Sequence, residues 1–200
     1  MSNNKTTIAI LGSSGHIGKN LINFFSKDQK YEIYLFTRDK NNLNKVLDDY
    51  FPNYTFNVLS YEQFKNFNYD VIVNCVGASD PYVIEKDIGT IFTTTEFYDN
   101  KVIEYIKKKS QTLYIYISSG AVYGHEFKNP VNDSTLTNLD VNHLKRENFY
   151  SMIKIYSETK HRALSNLNII DLRLFSFFSR FIDIKMKFFM CDVVQAIKKN

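Results

Sequence analysis

Cysteine is scarce. Cys75 and Cys191 are the only two in 200 residues, and neither has a Cys-x-x-Cys neighbour or a histidine-rich partner segment. A disulfide scaffold is thereby excluded, and no metal site is expected. Long apolar runs are missing as well: no segment approaches the ~20 apolar residues that a membrane-spanning helix needs, so no membrane partner is expected. The polar start, Met1 to Thr6, runs straight into a short apolar stretch, unlike a secretory leader, and the expectation is a cytoplasmic protein. Charge of one sign is not concentrated either. The formal net charge is +4 and the lysines are scattered, which leaves no footprint for nucleic acid. The densest run, Lys107-Lys108-Lys109, ends an apolar-periodic segment, where cations suit a helix C-terminus. Internal repeats and low-complexity linkers are absent too.

What is present is a 44% hydrophobic content, enough for one well-buried domain over residues 1–200. Short apolar, β-branched runs at 7–11, 32–37, 54–58, 71–75, 112–118 and 169–174 alternate with helix-like stretches at 17–26, 43–50, 97–109 and 148–167. That order predicts parallel strands, right-handed crossovers and helices on both faces: an α/β, doubly wound, three-layer Rossmann-type sheet. Runs such as Ile8-Ala9-Ile10-Leu11 and Val71-Ile72-Val73 are continuously apolar, as strands buried on both faces should be. Residues 80–95 and 126–144 are the two long irregular stretches. Loops of that length at strand C-termini in an α/β fold are usually functional.

Directly after the first run comes Gly12-Ser13-Ser14-Gly15-His16-Ile17-Gly18, and a helix follows. Gly12 permits a tight turn, Gly15 lets the backbone approach a pyrophosphate, and Gly18 lets the helix pack close to the strand. The amides at the helix start then meet the anion. All seven residues are candidate cofactor contacts; the His16 side chain is assigned no chemistry. The second strand ends Phe36-Thr37-Arg38. An acidic residue there would bind the ribose hydroxyls of NAD, whereas Arg38 can pair with the 2′-phosphate of NADP, which favours NADP. Asp39, next in line, blurs that signal.

The fifth run ends Ser118-Ser119-Gly120-Ala121-Val122-Tyr123-Gly124, and Tyr150-Ser151-Met152-Ile153-Lys154 opens the long helical segment. Four residues apart, Tyr150 and Lys154 share a helix face. The ammonium could stabilise the phenolate and depress a pKa that starts near ~10. Such a tyrosine exchanges a proton with a hydroxyl or ketone while hydride moves to or from nicotinamide. Tyr156 and Lys160 form a second pair with the same spacing, turned by roughly 600° around the helix. Spacing does not choose between the two.

Taken together, the glycine loop, Val73-Asn74-Cys75-Val76-Gly77, the double serine and the Tyr/Lys pair resemble the extended short-chain dehydrogenases, the NAD-dependent epimerase/dehydratase family that modifies nucleotide sugars. The likeness runs over nearly the whole chain. It implies that Ser119, four before Tyr123 in a Ser-Ser-x-x-Val-Tyr-Gly signature, is catalytic. The family commonly places a glutamate four after its catalytic lysine, as Glu158 stands to Lys154. Asp171-Leu172-Arg173-Leu174-Phe175-Ser176 is similar to its sixth-strand motif. Both select Tyr150 and Lys154, which with Ser118 would also touch the cofactor. By the same resemblance Asn74, Cys75, Val76 and Gly77 flank the cofactor, Cys75 as wall rather than nucleophile.

Departures from the family narrow the chemistry. Dehydratases of the family carry an acidic pair where this chain has Gly120-Ala121, and relatives that epimerise with a cysteine two after the serine have no counterpart to it in Ala121. The remaining expectation is an NAD(P)-dependent reductase of a 4-keto sugar or a 4-epimerase, with a nucleotide sugar as substrate partner. Phe178-Ser179-Arg180 stands in place of the family's Tyr-Gly-Pro. Residues from about 176 onward read as the start of a truncated substrate-binding part, with little or no C-terminal substrate domain. The aromatic stretch 174–181 and the apolar-rich helical stretch 188–197 would lie partly uncovered, which predicts a homo-oligomer.

Overall fold

The computed structural model describes residues 5–77, 87–124, 130–137, 139–186 and 189–199. Residues 80–86 of the first long irregular stretch, 126–129 and 138 of the second, and Phe188 lie outside the described residues. Six strands form one sheet: β1 (Thr6–Leu11), β2 (Tyr31–Phe36), β3 (Asn57–Leu59), β4 (Val71–Asn74), β5 (Leu113–Ser119) and β6 (Ile169–Leu174). Their order is β3-β2-β1-β4-β5-β6, and every pairing is parallel. The helices are α1 (His16–Phe25), α2 (Lys40–Tyr50), α3 (Thr90–Ile106), α4 (Asn148–Ala163) and α5 (Phe189–Lys199). This is the expected Rossmann-type α/β fold. Chain direction across the sheet reverses between β1 and β4, which opens a crevice at their C-terminal ends.

The apolar runs behave as doubly covered strands. Ala9, Ile10 and Leu11 of β1 are wholly buried. On one face Ile8, Ile10, Leu35 and Val73 pack with Ile22 of α1 and Leu43 and Leu47 of α2. On the other, Leu11, Phe36, Ile72, Tyr114 and Tyr116 pack with Val102, Ile103 and Ile106 of α3. Each fully buried Ile or Leu contributes roughly 1.5–3 kcal/mol.

Local chemistry explains where element boundaries differ from expectation. Strand three starts at Asn57 rather than 54, because Tyr54 N donates to Phe51 O (3.1 Å) in a turn that leaves the Tyr54 ring stacked on Phe56. Helix α3 begins at Thr90, well before 97. Asp87 accepts from Gly89 N (2.9 Å) and Thr90 Oγ1 (3.1 Å) and starts the helix, although the run Thr93-Thr94-Thr95 has poor helix propensity. Helix α4 ends at Ala163 rather than 167, where Leu164 N and Leu167 N close tight turns onto His161 O and Leu164 O. Two short 3-10 segments, Tyr61–Asn66 and Gly120–Tyr123, were not anticipated; the first is started by a reciprocal cap between Ser60 and Gln63.

Candidate functional site

At the end of β1 the chain turns through Gly12 at φ +76°, a conformation that side chains disfavour. A Cβ there would lie 3.1 Å from the carbonyl carbon of Cys75 and the amide nitrogen of Val76. Gly18 is tighter: its Cβ would meet Gly12 O at 2.5 Å and Ser13 Cα at 2.8 Å, so α1 can approach the loop only without a side chain. Ser13 Oγ donates to Ile10 O (2.6 Å) and pins the turn. Gly15 is the N-cap of α1 and has no side chain with which to cap the amides of the first turn, around His16, Ile17 and Gly18. A helix start without a side-chain cap, preceded by a glycine turn, is a cradle for an anionic diphosphate. The phenol of Tyr61 braces this loop from below, accepting from Gly12 N (3.0 Å) and donating to Phe36 O (3.3 Å).

Beside the loop lie the ends of β2 and β4. Thr37 is buried and Arg38 exposed. The Asp39 carboxylate, also exposed, caps α2, accepting from Asn42 N (2.9 Å), so the strand end carries a guanidinium beside a helix-capping carboxylate. Asn74 is buried, with its Oδ1 accepting from Val76 N (3.0 Å). Burial pushes the Cys75 thiol up to about 12, which disfavours the thiolate that a nucleophile needs.

Ser119, at the end of β5, lies close to Tyr150 and Lys154 in the first turns of α4. Ser119 Oγ accepts from Ala121 N (3.1 Å) and lies at the Tyr150 phenol. Lys154 is 4% exposed and donates to Ile117 O (2.7 Å) and Tyr116 Oη (3.1 Å), with Nζ 5.8 Å from the Tyr150 ring centre. Burial lowers the Lys154 pKa to about 8 despite nearby carboxylates. The expected depression of the Tyr150 pKa does not appear. Burial raises it, and the Ser119 hydroxyl offsets only part of that; Lys154 is engaged elsewhere. The rival pair faces away: Tyr156 donates to Glu96 (3.1 Å) and Lys160 reaches Asp99 (2.6 Å) and Asn100 (2.9 Å), all on α3. Ser118 is turned inward, donating to Glu158 Oε1 (2.7 Å).

Beneath this centre lies a buried network that sequence reasoning largely missed. Glu158 accepts from Arg173 Nη2 (2.5 Å) and Nε (2.9 Å) as well as from Ser118. Burial alone would raise its pKa, but Arg173 and Ser118 outweigh that and hold it below the carboxylate range. Asp99 is fully buried, with His161 Nε2 at 2.9 Å and Tyr114 Oη donating at 2.7 Å. The other His161 nitrogen lies 2.5 Å from Asp171. The available signal was a lone acid at an inward position of an apolar-periodic helix, where Asp99 sits between Tyr98 and Val102.

The strand order, the glycine loop at its crevice and the uncapped helix define a Rossmann-type dinucleotide-binding fold. The NAD dependent epimerase/dehydratase family matches over residues 8–200, and the chain belongs to that family. No curated protein sequence matches it. Among solved structures, UDP-glucuronic acid 4-epimerase from Bacillus cereus is 15% identical, with a TM-score of 0.71 over 97% of this chain and 64% of its own. The dTDP-glucose 4,6-dehydratase from Bacillus anthracis is 20% identical, with a TM-score of 0.69 over 98% and 62%. The UDP-Glc/GlcNAc 4-epimerase from Campylobacter jejuni is 18% identical, with a TM-score of 0.63 over 84% and 53%. At such identities the likeness is one of fold, and the chain spans between 53% and 64% of these structures' length. Among the described residues no helix is long and apolar enough to cross a membrane.

Proposed function

We propose that the chain binds NADP in preference to NAD and carries out hydride chemistry on a nucleotide-activated sugar, as a 4-keto reductase or a 4-epimerase. The observation that carries the reading is the convergence of Ser119, Tyr150 and Lys154 at the sheet edge that also bears the glycine loop. The nicotinamide would supply or accept the hydride. Gly12, Ser13, Ser14, Gly15, His16, Ile17 and Gly18 would hold the diphosphate, and the backbone from Asn74 to Gly77 would flank the adenosine half. Tyr150, protonated at neutral pH, is in the donor form for a sugar oxygen that Ser119 orients. The Lys154 ammonium supplies the positive field there.

Dehydration is disfavoured by residue type, since Gly120-Ala121 stand where dehydratases of the family carry an acidic pair. A side chain at Gly120 would meet the Phe175 ring at 2.4 Å, and that exposed ring would have to turn outward to admit one. The exposed guanidinium of Arg38 supports NADP, while its acidic neighbour Asp39 turns one carboxylate oxygen to the start of α2. Titration with both nucleotides tests this: Arg38→Ala should weaken NADP by about tenfold, the worth of a charge-assisted contact, and leave NAD within about twofold. Unchanged NADP affinity would remove the preference. Exposed Phe175, Phe177 and Phe178, with Ile170 and Leu172 on β6, support self-association, which light scattering would read. One observation favours a second reading, a nucleotide-binding protein without turnover: the Lys154 hydrogen bonds run to Ile117 and Tyr116.

A further inference from the structure

A chain of hydrogen bonds, buried until its last link, joins helix α3 to the backbone beside the glycine loop. Asp99 accepts from Tyr114 Oη (2.7 Å), Tyr114 Oη accepts from Asn74 Nδ2 (3.0 Å), and Asn74 Oδ1 accepts from Val76 N (3.0 Å). Asp99, Tyr114 and Asn74 are each at most 1% exposed. Asn74 and Tyr114 lie on one face of neighbouring strands, since Ile72 pairs with Tyr114 and Asn74 with Tyr116.

The direction of every bond follows from its first member. Burial opposes the charge on Asp99, but His161 and Lys160 outweigh it and keep the carboxyl below its usual range. A carboxylate only accepts. Tyr114 must therefore give its single proton to Asp99, which leaves its lone pairs for an amide N–H. Asn74 must then present Nδ2 to Tyr114 and Oδ1 to the Val76 amide. With the amide reversed, Oδ1 would face an oxygen without a proton and Nδ2 would face an N–H, and both contacts would be lost. The Val76 amide nitrogen and the Cys75 carbonyl carbon are also the atoms against which Gly12 packs.

We propose that Asp99 is a positioning residue of the nucleotide site: an acceptor-only group on α3 that, through Tyr114 and Asn74, fixes the backbone on which the glycine loop rests. The link from Asp99 to Val76 stands on the hydrogen bonds themselves, and its effect on binding rests on the proposed dinucleotide function.

The test uses Asp99→Asn, Tyr114→Phe and the double variant. Amide exchange at Val76 is followed by NMR without nucleotide, and NADPH and NADH are titrated by fluorescence. Both single variants should speed Val76 exchange and weaken the preferred nucleotide by about tenfold, and the double variant should add little, because one chain is broken twice. A purely structural buried acid would lower the melting temperature on Asp99→Asn but leave Val76 exchange and nucleotide affinity unchanged in Tyr114→Phe. If Asp99→Asn does not fold, Tyr114→Phe alone decides. Unchanged Val76 exchange, or altered exchange with wild-type affinity, overturns the proposal. Wild-type protein that binds neither nucleotide overturns the functional reading and the binding role together, while Val76 exchange still reports whether the link exists.

Discussion

Between β1 and α1 the site is shaped by glycines and main-chain bonds, whereas between β5 and β6 it is held by buried charges. At the first place Gly12 and Gly18 matter because nothing larger fits, and Tyr61 and Ser13 tie the turn through backbone atoms. At the second, Lys154, Glu158, Asp99 and His161 are all nearly inaccessible to water, and their charges are offset by Arg173, Lys160 and Asp171. Ion pairs elsewhere, such as Lys30–Asp28 and Lys65–Glu104, are exposed and add little, because water and salt screen them. Backbone shape tolerates changes of pH and salt. A charge network does not, and it ties the position of one catalytic candidate to the protonation of several neighbours.

The sharpest way to break this contrast is Glu158→Ala, which strands Arg173 and Ser118. Urea unfolding should show a loss of roughly 3–5 kcal/mol, because buried Ser118 and the partly exposed Arg173 guanidinium both lose their charged acceptor. A loss below about 1 kcal/mol would put this pair in the class of the surface ones. Next in size is a pH effect. Burial would lower the His161 pKa, but Asp171 and Asp99 overcome that and raise it from 6.5 to about 9. A raised pKa stabilises the fold fully below about 6.5, and the contribution, about 3 kcal/mol, is lost as pH climbs through about 9. The difference in unfolding free energy between wild type and His161→Gln should therefore shrink over that window. A difference that stays flat from pH 6 to 10 would mean the imidazolium is not held by its two carboxylates. The smallest effect belongs to the other region: Gly18→Ala should cost about 1–3 kcal/mol by overpacking, with no pH dependence, and should weaken nucleotide binding as α1 shifts from Gly12. An unaffected Gly18→Ala protein would mean that the close approach is not required.

The same contrast explains what could be read in advance. The alternation of parallel strands and helices, the glycine turn and the shared helix face of Tyr150 and Lys154 were legible because each is a local pattern: an apolar run, a spacing of three, a spacing of four. Asp39 was ambiguous in sequence because an acid after a strand can bind a ribose or cap a helix, and only the position of Asn42 N tells which. The tyrosine pairs were ambiguous for a related reason, since helix spacing says that two residues share a face but not which face meets β5. The Asp99–Tyr114–Asn74 chain was beyond reach, because its members are 15 and 40 positions apart and no local period joins them. The early start of α3 was hidden by three threonines whose weak propensity is overridden by the Asp87 turn.

Tyr150 rather than Tyr156 is the proposed proton donor, and one measurement addresses this directly. Wild type, Tyr150→Phe and Tyr156→Phe are compared for conversion of nucleotide sugars, with products resolved by NMR and nucleotide affinity measured in parallel. Loss of the Tyr150 proton should lower turnover by about 10²–10⁴ with affinity within about twofold, because only the donor is removed. Tyr156→Phe should behave as wild type, since its hydroxyl points to Glu96 at the surface. An active Tyr150→Phe protein, or inactivation by Tyr156→Phe instead, would contradict the account.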